Sequence, residues 1–279
     1  MEKQKVKLFQ TRDFGQNLQV TMEFLKQNYI NISKGLCYLI PFFLIVAYLQ
    51  PDFSAIFSYK LDPADPFGLY KQIYTLPVIL GYILTFVGST IIMAYMVSYI
   101  ALYNSSEKGA VEIRDVWIKT IKVALPMMLC QIIYVIIIAI GSIFCIIPGV
   151  AFAIFFLFFA YVYIIEDASI VDSFIKSWKL VVNNWWTTFA FALLISLCLV
   201  IASNILSIPA TLIYLGSMFK IDFFLSPIYQ YVASAISYVG SIFLYPILFA
   251  GLGILYFNLR SRYENIDTYE EIDNLGNNN

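Results

Sequence analysis

Lys119 and Lys122, and again Lys176 and Lys179, stand three residues apart, and each pair lies beside a tryptophan, Trp117 or Trp178. A lysine ammonium is a compact cation with three donors, and an indole ring settles at the headgroup level of a bilayer. Together they suit the attraction of anionic lipid headgroups, at about 1 kcal/mol per basic side chain near such a surface. Lys26, Phe174, Trp185 and Trp186 join the same set of lipid or partner contacts. The same lysines also serve as topology signals, and Trp178, Trp185 and Trp186 as interfacial anchors.

No other constellation carries chemistry. The chain has no histidine, which removes the commonest general base and metal ligand. Glu166 and Asp167 are adjacent carboxylates; on a helix they point about 100° apart, so a capping and dipole role fits them better than catalysis. Cys37, Cys130, Cys145 and Cys198 form no CxxC pair and read as small buried hydrophobes. No catalytic activity, cofactor or metal is expected, and a net charge of −1 gives no reason to expect nucleic acid.

These residues must be positioned by a membrane domain. Hydrophobic residues make up 61% of the 279 and charged residues 13%, against roughly 45–50% and 25% in soluble domains. The excess lies in long blocks, at about 35–50, 73–103, 125–147, 150–165, 186–206 and 229–257, each a candidate span. No cleavable signal precedes the first block, so the first span itself is expected to target the chain. Residues 1–34 form an N-terminal segment with an amphipathic helix whose apolar face is Leu18, Met22, Leu25 and Tyr29; residues 35–260 form the membrane domain; 261–279 form an acidic, disordered tail.

Two further amphipathic segments, 111–123 and 169–182, precede the second and third pairs of spans. In the latter, Val171, Phe174, Trp178 and Val181 form the apolar face, and Ser169 with Asp172 resembles a capping box. Asp115 with Lys119, and Asp172 with Lys176, form i,i+4 pairs. Phe24-Leu25-Lys26, Trp117-Ile118-Lys119 and Phe174-Ile175-Lys176 occupy matching places, which points to a threefold repeat of elbow helix plus hairpin. Pro148-Gly149 supplies the turn of the middle hairpin. Of the 17 Lys and Arg residues only Lys60, Lys71 and Lys220 fall in outer loops, so both termini and all three elbows are expected on the cytoplasmic side. The expected fold is all-α: a polytopic membrane protein with six transmembrane helices in three hairpins, each preceded by a cytoplasmic amphipathic elbow helix.

Within the spans, Gln131 and Asn204 are the notable interior polar residues. They serve as interhelical hydrogen-bonding glue or as the lining of a substrate path. Gly81 and Gly88, and Ala233, Ser237 and Ser241, are spaced for close helix packing.

Ile146-Ile147-Pro148-Gly149, the aromatic span after it, the Glu166-Asp167 stop, Ser177-Trp178-Lys179-Leu180 and Asn183-Asn184-Trp185-Trp186 together resemble the membrane domain of bacterial glycerophosphodiester phosphodiesterases. They are equally similar to related uncharacterised six-span families of bacterial inner-membrane proteins. The likeness covers about residues 146–190, with the Phe14-Gly15 opening resembling the same group. It implies a six-span bundle in the bacterial inner (cytoplasmic) membrane. It does not imply the phosphodiesterase activity, which belongs to a separate soluble domain whose metal-binding histidines are missing here. The expected role is lipid-associated membrane organisation, or a membrane subunit binding an amphiphile or protein partner. The alternative is a transporter or channel for an apolar or zwitterionic small molecule.

Overall fold

The computed structural model describes residues 4–51, 65 and 67–265. Lys60, expected in an outer loop, and most of the expected acidic tail lie outside them. All regular structure among the described residues is helical, with no strand. Six helical stretches are long and apolar enough to cross a membrane.

The helices are α1 (Phe14–Leu36), followed by a 3-10 turn, and α2 (Ile40–Tyr48), α3 (Gly68–Ile73), α4 (Leu76–Ser105) and α5 (Ile113–Phe144). Next come α6 (Ile146–Phe155), α7 (Phe159–Ile165), α8 (Ile170–Val182) and α9 (Trp185–Leu206). The last are α10 (Ile208–Phe219), α11 (Asp222–Leu225) and α12 (Pro227–Glu264). Two compact units share them: one comprises Met1–Gly35, Thr90–Leu197 and Pro246–Asn279, the other Leu36–Ser89 and Cys198–Tyr245.

Local chemistry sets several boundaries. Asp13 and Gln16 cap α1 reciprocally, each side-chain oxygen accepting the other's backbone N–H at 2.7 and 3.0 Å. Pro77 sits in the first turn of α4, where its missing N–H costs nothing. Lys220, at φ 56°, closes α10 in the left-handed conformation.

Two expectations need correction. The segment 111–123 is no separate elbow; it forms the first turns of the 32-residue helix α5. Of the two later amphipathic segments only 169–182 becomes a helix of its own, α8. Pro148 and Gly149 are not the turn either. The chain breaks at Cys145, whose backbone is extended, and both residues lie inside α6. Pro148 is tolerated there because its N–H would have no helical partner so close to the start. Gly149 is needed for close approach instead. An added Cβ would lie 2.1 Å from Ser142 Oγ and 3.2 Å from Ser142 Cα, so its absence lets α6 lie tightly against α5.

The first unit is built on an aromatic seam. Tyr95, Tyr99 and Tyr103 line one face of α4, all buried. Phe24 meets Tyr103 edge-on at 5.0 Å, and Tyr99 Oη donates to Asn28 Oδ1 at 3.0 Å. Residues 4–12 are tucked in rather than free. Val6 and Leu8 are buried, and the Val6 amide donates to Tyr103 Oη at 2.8 Å. Asn258 exchanges two hydrogen bonds with the Arg12 backbone, both 3.1 Å. Arg12 itself is buried and donates to the carbonyls of Leu8, at 2.9 Å, and Lys7.

In the second unit α2 lies against α4 where Gly88 leaves room. A Cβ there would come 2.7 Å from the rings of Phe42 and Phe43.

Candidate functional site: an apolar groove and a charged recess

The fourth membrane stretch is split. Between α6 and α7, residues Phe156, Leu157 and Phe158 leave the helical path, and buried backbone groups that lose their helical partners need others. α8 supplies them. Ser177 Oγ accepts the Phe158 amide at 3.0 Å and donates to the Phe155 carbonyl at 2.9 Å. Phe174 stacks on Phe159 at 5.2 Å, and Trp178 stacks on Phe155 at 3.9 Å. The helix starts as expected, with Ser169 Oγ accepting the Asp172 amide at 3.2 Å.

Three faces result on α8. Ser173, Phe174, Ser177, Leu180 and Val181 face the protein and are buried. Val171, Ile175, Trp178 and Val182 form an exposed apolar stripe at helical spacing. Asp172, Lys176 and Lys179 lie to one side. The expected apolar face thus mixes two real ones.

The exposed stripe borders a groove of about 500 Å³ between α5 and α8. Ile133 and Ile137 form its α5 wall, Phe156 its floor, and Ile170, Val171, Phe174, Ile175 and Trp178 its α8 wall, with Lys179 also lining it. Toward the start of α5 lies a second recess of about 340 Å³, lined by Asp115, Ile118, Lys119, Lys122, Val123 and Asp167. Asp167, at φ 49°, is one of few non-glycine residues in the left-handed region.

The remaining expected contacts disperse. Lys176 joins a closed ring of charges: its Nζ meets Glu166 and Glu264, the latter at 2.7 Å. Arg260 Nε reaches Glu264 at 3.0 Å and Glu166 at 3.7 Å, and Tyr256 Oη donates to Glu166. Lys176 is therefore committed to protein carboxylates, not to headgroups, and it does not pair with Asp172. Glu166 ties α7 to α8 and α12 rather than capping the start of α8, where Ser169 is the cap. Trp117 is structural too; its Nε1 donates to the Gly35 carbonyl at 3.2 Å and its ring packs on Tyr95 at 5.2 Å. Trp185 stacks on Phe189 at 5.2 Å, its indole nitrogen buried. Trp186 is 77% exposed and Lys26 is exposed, both apart from the groove and the recess.

Gln131 holds its amide oxygen buried without a donor among the described residues. Asn204 is not interhelical glue: it is exposed and donates to the Val200 carbonyl of its own helix at 2.8 Å. In the second unit, the polar features are elsewhere. Gln230, Ser234, Ser237 and Ser241 share a face of α12. A recess of about 270 Å³ includes Gln50, Gln230 and Ser234, and one of about 250 Å³ includes Ser234, Ser237 and Ser241.

Sequence reasoning missed Asp115 and Asp167 as recess walls and Ile133 and Ile137 as groove walls. The signal for α5 was present, since Asp115, Ile133 and Ile137 share one side of a 3.6-residue helix with Lys119 and Lys122. No group of three or more potential metal ligands occurs among the described residues.

No curated protein and no solved structure matches the chain. A family profile described as a domain of unknown function, DUF7847, matches residues 71–252. That span holds α4 to α11 and most of α12, including the groove and the recess, and the chain belongs to the DUF7847 family.

Proposed function

We propose that this protein is a multi-pass protein of the bacterial cytoplasmic membrane that binds a membrane amphiphile in the groove between α5 and α8. One observation carries the reading: the groove wall is apolar side chain throughout, save the Lys179 stem beside it. Lipid tails are as apolar as the groove, so shape and dispersion decide what settles there. Lys179 can lay its stem along the wall and hold its ammonium toward headgroups. The distribution of basic residues supports cytoplasmic termini and a cytoplasmic α8. The stretch resembling the phosphodiesterase membrane domain, 146–190, is the one that contributes α6, α7 and α8, and this likeness belongs to the same proposal. The role is binding, not catalysis, and the six spans pair as three hairpins.

A photoactivatable phospholipid with the reactive group in mid-chain tests this. Cross-links on Ile133, Ile137, Val171 or Ile175 are expected, and Ile137→Trp should reduce them by filling the groove. Labelling spread evenly over all exposed apolar surfaces would overturn the reading. Labelling confined to other helices, with a protein partner on α8, would favour a subunit interface.

A second reading, transport of a small neutral solute, is favoured by Ser234, which is 8% exposed and lines both recesses of the second unit. Solute flux into proteoliposomes that falls with Ser234→Leu tests it; no flux for any neutral solute tried removes it.

A further inference from the structure

Two independent features of α5 point at one ligand. The recess holds two carboxylates and two ammonium groups, Asp115, Asp167, Lys119 and Lys122. None of these four side chains makes an ion pair or a side-chain hydrogen bond among the described residues, in contrast to Lys176 and its partners. Their charges cancel. A net anion would meet the carboxylates as well as the lysines, so the recess suits a neutral ligand that carries both signs.

The second feature is alignment. Asp115, Lys119, Lys122, Ile133 and Ile137 fall on one side of α5, with Asp115 and Ile133 separated by about five full turns. Lys122 and Ile133 are about 16 Å apart along the helix, close to one leaflet of a hydrocarbon core roughly 30 Å thick. The two cavities also meet close together in sequence: Asp167, in the short segment after α7, lines the recess and Ile170, the first residue of α8, lines the groove.

We propose that recess and groove together hold one phospholipid with a primary-amine zwitterionic headgroup, phosphate on Lys119 and Lys122, ammonium on Asp115 and Asp167, one acyl chain along α5 into the groove. This rests on the reading that the groove holds an amphiphile. The lysines supply cationic donors to the phosphate oxygens. A primary ammonium has three donors for the two carboxylates. A quaternary ammonium has none, and the aromatic faces that would bind it are missing from the recess lining. This replaces the anionic-lipid expectation with a zwitterionic one at these lysines.

The test is native mass spectrometry of the full chain with chain-matched dioleoyl phosphatidylethanolamine, phosphatidylcholine and phosphatidylglycerol. Wild type should retain the ethanolamine lipid over the glycerol lipid by about five- to tenfold, the effect of roughly one well-placed charge contact. Asp115→Asn with Asp167→Asn should erase that preference while lipid still binds. Lys119→Gln with Lys122→Gln should lower retention of all three. Equal retention of the three lipids by wild type overturns the headgroup assignment and leaves the groove reading standing. So does a preference that survives in the double Asn variant with unchanged thermal unfolding. If Ile133→Trp with Ile137→Trp changes no lipid's retention, the groove reading itself falls. If soluble glycerophosphoethanolamine binds as tightly as the lipid, the ligand is a free zwitterion and the lipid assignment is overturned.

Discussion

Ser177 and Phe158 are joined by a 3.0 Å hydrogen bond from the Phe158 amide to the Ser177 hydroxyl, and this bond holds open the break in the fourth membrane stretch. The same hydroxyl donates to the Phe155 carbonyl at 2.9 Å. One side chain thus satisfies a donor and an acceptor that the break would orphan.

Ser177→Ala should therefore destabilise the protein by about 1–3 kcal/mol, the cost of leaving buried polar groups unmade. Thermal unfolding in detergent checks this. A midpoint equal to wild type would show that the break is satisfied another way.

The charge ring sets a contrast among the lysines. Lys176→Gln leaves Glu166 and Glu264 sharing Arg260 as their one cation among the described residues, with Tyr256 still donating to Glu166. With these side chains 12–28% exposed, the loss should fall between surface and buried pairs, about 1–3 kcal/mol. Lys119→Gln, Lys122→Gln and Lys179→Gln should each lie within about 0.5 kcal/mol of wild type. Equal midpoints for all four variants would contradict the ring's structural role.

Gly149→Val should be far more damaging than Pro148→Ala. The valine would meet Ser142 across the α5–α6 contact, an overpacking cost of about 1–3 kcal/mol. Pro148 occupies the first turn of α6 and is replaceable. Detergent stability of the two single variants, measured side by side, decides the order.

Membrane sidedness is accessible by cysteine labelling after the four native cysteines are replaced. Positions 108 and 179 should react only from the cytoplasm, and positions 71 and 220 only from outside. Labelling of position 179 in intact cells by an impermeant reagent would reverse the assigned topology.

The spans were legible in the sequence because length and apolar content answer to the bilayer alone, as 186–206 against Trp185–Leu206 shows. The faces of α1 and α8 were not. In water the apolar side of a helix is its inner side. Beside lipid both sides are apolar, and the inner one is marked by small polar residues that bond across or along helices. Asn17, Thr21 and Asn28 of α1 are buried while Met22 is 54% exposed; Ser173 and Ser177 of α8 are buried while Val171 is 66% exposed. The Pro148-Gly149 turn failed for a related reason, since glycine serves close approach as well as turns. The recess needed both kinds of information. Its lysines were visible, but Asp167 reaches it from another helix end, and only the fold brings it there.

Asn258 grips the Arg12 backbone across 246 positions of sequence, Phe9 lies edge-on against Phe257 at 4.6 Å, and the Arg260 guanidinium lies 5.1 Å from the Phe9 ring centre. During synthesis Phe9 and Arg12 emerge long before Phe257, Asn258 and Arg260, so these contacts must wait until the last helix has left the ribosome, whereas Val6 meets its partner Tyr103 already on α4. Closure of this clasp is then a late event in biogenesis. A chain halted before α12 would display Phe9 and the Arg12 backbone without these partners to the cell's quality-control proteases.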